Sequence, residues 1–264
     1  MRFKEVVSRD NPTIKQYVQL AASRRQRYAQ RCFVTEGFKL TMEAFDAGCE
    51  PVRLFLTQQA LERYGQLAQL LPKAGELLQI TPQVAEKLAR ADSTQGVFAQ
   101  FRMLDNQSQR VTINENGHFL LLCSLQDPGN LGTILRTAAA FGIHGVLLSS
   151  DCPDLYSLKV LRAAMGGVFK IPWEVTEDLC SSIERMKAQG LAVYGAALAD
   201  TAVPVQQLPL QNGCAVAIGN EGNGLSHEVL ACCTAPAIIP MQAGSESLNA
   251  AMAAGIFIWE MARH

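Results

Sequence analysis

Three glycine- and asparagine-punctuated segments in the C-terminal half constrain this 264-residue chain more than any other feature. They run Asp127-Pro-Gly-Asn-Leu-Gly-Thr-Ile-Leu-Arg-Thr-Ala-Ala-Ala-Phe-Gly142, Ile218-Gly-Asn-Glu-Gly-Asn-Gly-Leu-Ser226 and Ile239-Pro-Met-Gln-Ala-Gly-Ser-Glu-Ser-Leu-Asn249. Each follows a short apolar run and leads into a helical pattern. An α/β sheet presents its ligand crevice beyond the carboxyl ends of its strands, which is where these loops fall. Glycine allows positive φ and lets a ligand approach the backbone. Three such loops, rich in polar side chains, point to a site for an elongated polar cofactor.

The rest of the chain alternates in a way that supports that sheet. In the C-terminal part, strands are expected at 118–123, 145–149, 170–174, 191–196, 214–218 and 237–239. Helices are expected from about 130, near 155–165, near 177–189, briefly after Ser226, and from about Glu246 to Ala262. Alternation of this kind argues for a mostly parallel sheet covered on both faces. Residues 105–117 are polar and aperiodic and read as a linker. Before them, Asn11-Pro12 reads as a helix start, with Ile14, Tyr17, Val18 and Ala21 at helical spacing. Further helices are expected over 38–47, 58–70 and 82–90, with strands at 52–57 and 96–101. The division is thus 1–104, linker 105–117, and 118–264.

The net charge of −1 hides an asymmetry. Residues 1–40 carry nine Lys or Arg against three acids, a net +6 that leaves −7 for the remainder. Arg24, Arg27 and Arg31 continue the helical region that starts at Asn11 with one cationic face, with Arg25 and Lys15 nearby, a pattern that suits a polyanionic partner. The alternative is a solvated basic helix. The eight cysteines form no C-x-x-C pair, and several lie in apolar runs, so buried thiols fit better than disulfides or zinc. The N-terminus lacks a signal-peptide core, and no stretch of about 18 apolar residues appears. The expected home is the cytoplasm, with no membrane partner.

The second segment has the spacing G-x-x-G-x-G, not the dinucleotide G-x-G-x-x-G, and no Lys-Ser/Thr follows as in a P-loop. What the segments do resemble, taken in order and with their long gaps, are the three signature motifs of the SpoU/TrmH family of RNA 2′-O-methyltransferases, within the SPOUT superfamily. Asn130 through Arg136-Thr137-Ala138 to Gly142 is similar to the first motif. Gly219-Asn220-Glu221-Gly222 with Gly224-Leu225-Ser226 is similar to the second, and Ile239-Pro240-Met241 with Ser247-Leu248-Asn249 to the third. The resemblance spans roughly 118–262. The N-terminal pieces Asn11-Pro12-x-Ile14-Lys15, Phe33-Val34-x-Glu36-Gly37 and Thr94-Gln95-Gly96-Val97 are more loosely similar to the family's ribosomal-protein-like α/β substrate-binding domain. Where many relatives have Ser after Arg162-Ala163, this chain has Ala164.

The resemblance implies a SPOUT domain with a trefoil knot, S-adenosylmethionine as cofactor, a homodimer, and RNA as substrate, ribosomal before transfer RNA. It implies cofactor contacts from Gly219, Asn220, Ile239, Met241 and Leu248. It assigns catalysis to Arg136 with Asn130, Glu221, Ser247 and Asn249. The basic residues Arg24, Arg25, Arg27, Arg31 and Lys15 would hold RNA. A non-catalytic RNA-binding or ribosome-assembly factor on the same fold is the alternative. The helical stripe of Leu248, Met252, Gly255 and Trp259 is expected to be packing. The last helix is apolar on most faces and is the expected dimer contact.

Overall fold

The computed structural model describes residues 3–90, 93–104, 111–242 and 247–263. The chain forms two compact units: Met1–Asp105 together with Asp154–Phe169, and Asn106–Pro153 together with Lys170–His264.

The first unit contains β1 (Lys4–Val6), α1 (Pro12–Ala22), α2 (Arg24–Gln30), β2 (Cys32–Glu36), α3 (Phe38–Asp46), β3 (Pro51–Leu56), α4 (Gln58–Arg63), β4 (Glu76–Ile80), α5 (Pro82–Leu88) and β5 (Val97–Arg102). Its five strands lie in the order β1-β4-β3-β5-β2. The pairs β1–β4 and β3–β4 are parallel, and β5 is antiparallel to both β3 and β2. Asn11 caps α1 by accepting from the Thr13 amide, with Pro12 at the first helical position. The 3.6-residue period of α1 buries Ile14, Tyr17 and Leu20 against the sheet. Tyr17 packs edge-on to Phe55 and Phe98, and its hydroxyl donates to the Thr35 carbonyl at 2.9 Å.

Two differences from the sequence reading arise here. The basic stretch does not continue α1: Ser23 breaks it and caps a new helix, accepting from the Gln26 amide. The strand β2 has all five residues buried, so it shows no alternation by which to be found.

The third difference is larger. Asp154–Phe169 carries α7 (Leu158–Ala164) and lies, by sequence, inside the part expected to run unbroken from 118. In space it groups with the first unit. Leu158 joins the core formed by Tyr17, Phe55 and Phe98, and Arg162 pairs with Glu36. Asp154 pairs with Arg27 at 2.5 Å, with the Arg27 side chain 4% exposed and that of Asp154 5%.

The second unit contains β6 (His118–Leu122), α6 (Pro128–Ala140), β7 (Gly145–Ser149), β8 (Trp173–Thr176), α9 (Leu179–Ala188), β9 (Ala192–Ala196), β10 (Val203–Pro204), β11 (Cys214–Ile218), α10 (His227–Cys232), β12 (Ala235–Ile238) and α11 (Ala250–Ala262). The short α8 (Gly167–Lys170) precedes β8. Seven strands run in the order β10-β12-β9-β11-β6-β7-β8, every pair parallel. Phe119, Leu121, Ala215 and Ala217 share one face of the sheet and form a core with Leu179, Ile183 and Met186 of α9. On α6 and α11 the packing is mutual, and α11 also meets β11. The last helix starts at Ala250, not near Glu246, because Asn249 caps it by accepting from the Ala251 and Met252 amides. All eight cysteines are free thiols, five of them buried.

Candidate active site

The second glycine-rich segment leaves β11 as a tight loop. Asn220 and Gly224 exchange backbone hydrogen bonds of 3.0 and 2.9 Å across it. Gly219 is required there: a Cβ would lie 2.1 Å from the Gly224 carbonyl carbon and 2.3 Å from the Leu225 nitrogen. Gly224 takes the left-handed φ of 68° that closes the turn. The Asn220 side chain holds the loop from inside and outside at once. Its oxygen accepts from the Gly222 and Asn223 amides, and its nitrogen donates to the Ser124 carbonyl at 2.8 Å.

Ser124 in turn sits at φ 54°, one of three described non-glycine residues with positive φ. Its amide donates to the Ser149 hydroxyl at 2.8 Å, and that hydroxyl donates to Asp151 at 2.5 Å. The Ser149 hydrogen bond holds the Asp151 carboxyl below its ordinary value. The strained residue is thus fixed on both sides of its backbone, and through Asn220 it sets the position of the loop.

Three side chains tie the three segments together. The Glu221 carboxylate accepts from the Gln126 amide at 3.0 Å, the Asp127 amide at 3.1 Å and the Asn130 side-chain nitrogen at 2.9 Å. The Asn130 oxygen accepts from the Asn249 side-chain nitrogen at 2.9 Å. Asn130 does not cap its helix; Asp127 does, accepting from the Gly129 amide. Nor is Ser247 a cap, since Asn249 fills that role. Burial pushes the Glu221 carboxyl up, but its hydrogen bonds from Asn130 and from the Gln126 and Asp127 amides outweigh this. Its pKa lies below the ordinary carboxylate value.

A cavity of about 550 Å³ opens beside the loop. Gly219, Asn220, Ile239, Met241 and Leu248 all line it, and so do Glu221 and Ser247. Asn130, Asn249 and Arg136 do not line it. Residues Ala243 to Glu246 of the third segment lie outside the described residues. Ala196, Ala197 and Leu198, at the end of β9, also line the cavity. They escaped the sequence reading because no glycine or polar residue punctuates them. Strand β9 ends beside β11, and that adjacency is the signal that places them at the crevice.

Arg136 is exposed on α6 and makes no hydrogen bond or ion pair with another described residue. It stands about 9 Å further along the helix axis than Asn130. The five N-terminal residues assigned to RNA do not share one face. Arg24, Arg25, Arg31 and Lys15 are exposed. Lys15 pairs with Asp10 at 3.2 Å, and the Arg24 guanidinium lies 5.5 Å from the Tyr28 ring centroid. Arg27 corrects the expectation outright. It is 3% exposed, doubly bonded to Asp154, and donates to the Leu20 and Ala21 carbonyls that end α1. A guanidinium so placed cannot reach a phosphate. The Leu248–Trp259 stripe also departs from expectation: Leu248, Met252 and Trp259 are exposed, with Trp259 edge-on to the exposed Phe141.

Residues 117–259 match the family described as SpoU rRNA Methylase, and residues 11–99 match the MRM3-like substrate binding domain. The 23S rRNA (guanosine(2553)-2′-O)-methyltransferase RlmP of Bacillus subtilis is 40% identical over 142 residues, covering 54% of this chain and 56% of that enzyme. The chain therefore spans little more than half the length of that relative. A protein named as a tRNA/rRNA methyltransferase from Synechocystis is 33% identical over 98% of this chain and 93% of its own. Among solved structures, the AdoMet-bound rRNA methyltransferase from Sinorhizobium meliloti superimposes with a TM-score of 0.85 at 32% identity, covering 99% of this chain and 98% of its own.

Proposed function

The chain belongs to the SpoU rRNA methylase family, and from that premise we propose that it transfers a methyl group from S-adenosylmethionine to a ribose 2′-hydroxyl of RNA, ribosomal RNA before transfer RNA. The observation that carries the reading is the Glu221–Asn130–Asn249 chain of hydrogen bonds. It joins all three segments beside a cavity of about 550 Å³, within the range of roughly 300–1,000 Å³ expected of cofactor sites.

The cavity fits the cofactor in chemistry as well as size. Gly219 lines the cavity and lets the loop close on itself, since a Cβ there would meet the Gly224 and Leu225 backbone. Ile239, Met241 and Leu248 supply apolar contact, and Asn220, Glu221 and Ser247 supply hydrogen-bonding groups. When bound, the cofactor supplies an already activated methyl group. The protein supplies alignment and handles the poorly acidic ribose hydroxyl.

Arg136 is the residue assigned to that hydroxyl. A guanidinium offers only donors, so its role is to donate hydrogen bonds and to stabilise developing alkoxide charge or grip the neighbouring phosphate. Glu221 is a poor proton acceptor, since three donors already bond its carboxylate and depress its pKa, leaving one lone pair toward the cavity. Its role is to hold Asn130 and the start of α6. Asn130 and Asn249 then fix the geometry between the first and third segments, with Ser247 at the cavity edge.

Arg24, Arg25, Arg31 and Lys15 are kept as RNA contacts, and Arg27 is not. The homodimer belongs to the same proposal, with the exposed Leu248, Met252, Trp259 and Phe141 as the face a second copy would cover. So does the knotted path that the family resemblance implies. Among the described residues no helix is long and apolar enough to cross a membrane; the cytoplasm is proposed as the site of action.

Calorimetric titration with S-adenosylmethionine, followed by nucleoside mass spectrometry of treated RNA, tests the reading. Cofactor binding with a 2′-O-methyl nucleoside as product is expected. Absence of binding favours the non-catalytic RNA-binding factor, and a methylated base overturns ribose chemistry.

A further inference from the structure

The second unit gathers thiols that methyl transfer does not use. Cys123 lies within electrostatic reach of Cys152, Cys180 and Cys233, and Cys180 within reach of Cys232. One pair stands apart. Cys180, in the first turn of α9, donates its thiol hydrogen to the sulfur of Cys232 at the end of α10. Both residues are half-buried and open to a small solute, whereas Cys123 and Cys152 are buried. Cys233 is half-buried too, but its thiol is turned to the Val229 carbonyl at 3.3 Å.

A disulfide holds its sulfurs about 2.05 Å apart. Thiols already in hydrogen-bond contact on two packed helices reach that separation by a small shift. The element that yields is α10, six residues long, because α9 is anchored in the core through Leu179, Ile183 and Met186. That helix continues directly from the second glycine-rich loop, and Ser226 caps it by accepting from the Val229 amide at 3.2 Å. Leu225, just before the cap, and Leu230, within the helix, line the cofactor cavity. Both lean on Gly195 of β9, where a Cβ would lie 3.0 Å from Leu225 Cδ1, 2.6 Å from Leu230 Cδ1 and 3.3 Å from the Cys233 sulfur. Packing this close transmits a displacement of the Cys232 end to the cavity wall.

We propose that Cys180 and Cys232 form a reversible thiol–disulfide site that opposes cofactor binding, closed by a small-molecule disulfide such as oxidised glutathione and reopened by reduced glutathione. Disulfides in reducing compartments are of this transient, sensing kind. The Cys232 sulfur attacks one sulfur of the glutathione disulfide, giving a mixed disulfide and expelling one glutathione. The Cys180 sulfur then attacks Cys232, the protein disulfide forms and the second glutathione leaves. Two protein thiols lose two electrons, the glutathione disulfide gains them, and the two thiol protons end on the two glutathiones. The hydrogen bond sets the order. Cys232 is its acceptor and starts the attack, with the Lys187 ammonium donating to the Cys232 carbonyl at 3.1 Å. Burial, then the bond to Cys232, push the Cys180 thiol up, with Glu228 and Asp178 adding to it. Cys180 therefore suits the second step, where proximity assists it. The proposal rests on the cavity holding S-adenosylmethionine and adds a control on that site.

The test equilibrates the full-length protein in oxidised or reduced glutathione buffer. Disulfides are mapped by mass spectrometry of unreduced digests, and S-adenosylmethionine affinity is measured by calorimetry in both states. A Cys180–Cys232 crosslink is expected in oxidised buffer, with affinity lowered at least about fivefold, the lower end of coupling between sites, and restored on reduction. Linkage is reciprocal, so saturating cofactor must disfavour the disulfide by the same factor. Cys180→Ser and Cys232→Ser should each bind cofactor as the reduced wild type does and lose the response to oxidation. Absence of the crosslink, or a crosslink that leaves affinity unchanged, overturns the proposal. Reduced wild-type protein that binds no S-adenosylmethionine overturns the proposed function instead, and the peptide map still decides whether the thiol pair closes.

Discussion

Arg27 of the first unit and Arg136 of the second both lie within helices, and their surroundings are opposite. Arg27 is sealed: two bonds to Asp154 and two to the end of α1 engage all three of its guanidinium nitrogens. Arg136 is exposed and has no partner among the described residues, while Asn130, six residues before it, is bonded on both sides. The difference teaches that in this chain the fully paired charge maintains a fold, and the unpaired one, beside a rigid polar network, is available to a ligand.

Substitutions at these positions separate the two roles. Arg27→Ala leaves Asp154 buried without a counter-charge and should cost about 3–5 kcal/mol, read as a lower denaturant midpoint. An unchanged midpoint would break the comparison at its stronger end. Arg136→Ala should leave stability alone and slow methyl transfer by about 10²–10³-fold, with cofactor affinity within a few-fold by calorimetry. Unchanged single-turnover rates would remove its assignment.

Glu221→Gln gives a smaller effect with a distinct pH signature. The folded-state pKa of Glu221 is depressed, so the native protein holds this proton more weakly than the unfolded chain does. Its stabilisation is therefore present above the ordinary carboxylate pKa and is lost as pH falls through the folded value. The wild-type advantage over Glu221→Gln in urea melts should be about 1 kcal/mol or less at neutral pH, because solvent screens the exposed carboxylate, and should shrink in acid. An advantage independent of pH would mean that the carboxylate charge is not what holds α6.

Arg25→Glu with Arg31→Glu is the mildest test. RNA affinity should fall, and the salt slope should lessen by about one for each phosphate that is no longer gripped. An unchanged slope restores the solvated-helix alternative for that stretch.

The three motifs, their order and most elements of the parallel sheet were legible because glycine, proline and asparagine mark turns whose backbone geometry few other residues adopt. Strand β2 was not, since every one of its residues is buried and no alternation remains. Arg27 was misread because helical spacing places residues on a face without saying whether that face meets water or Asp154, 127 residues later. Ser124 gave no sign at all. Its left-handed backbone is imposed by Ser149 and Asn220, partners from two distant segments, whereas a glycine in that conformation would have announced itself.

The grouping of Asp154–Phe169 with the first unit also sets a timetable for synthesis. When the first hundred residues have left the ribosome, Arg27, Glu36 and the core around Tyr17 still lack Asp154, Arg162 and Leu158. At about 5–20 residues per second, the wait is on the order of several seconds. During it the nascent N-terminal unit carries an uncompensated guanidinium and an unfilled core, a stage at which a chaperone or the nearby ribosomal RNA has its best chance to hold it.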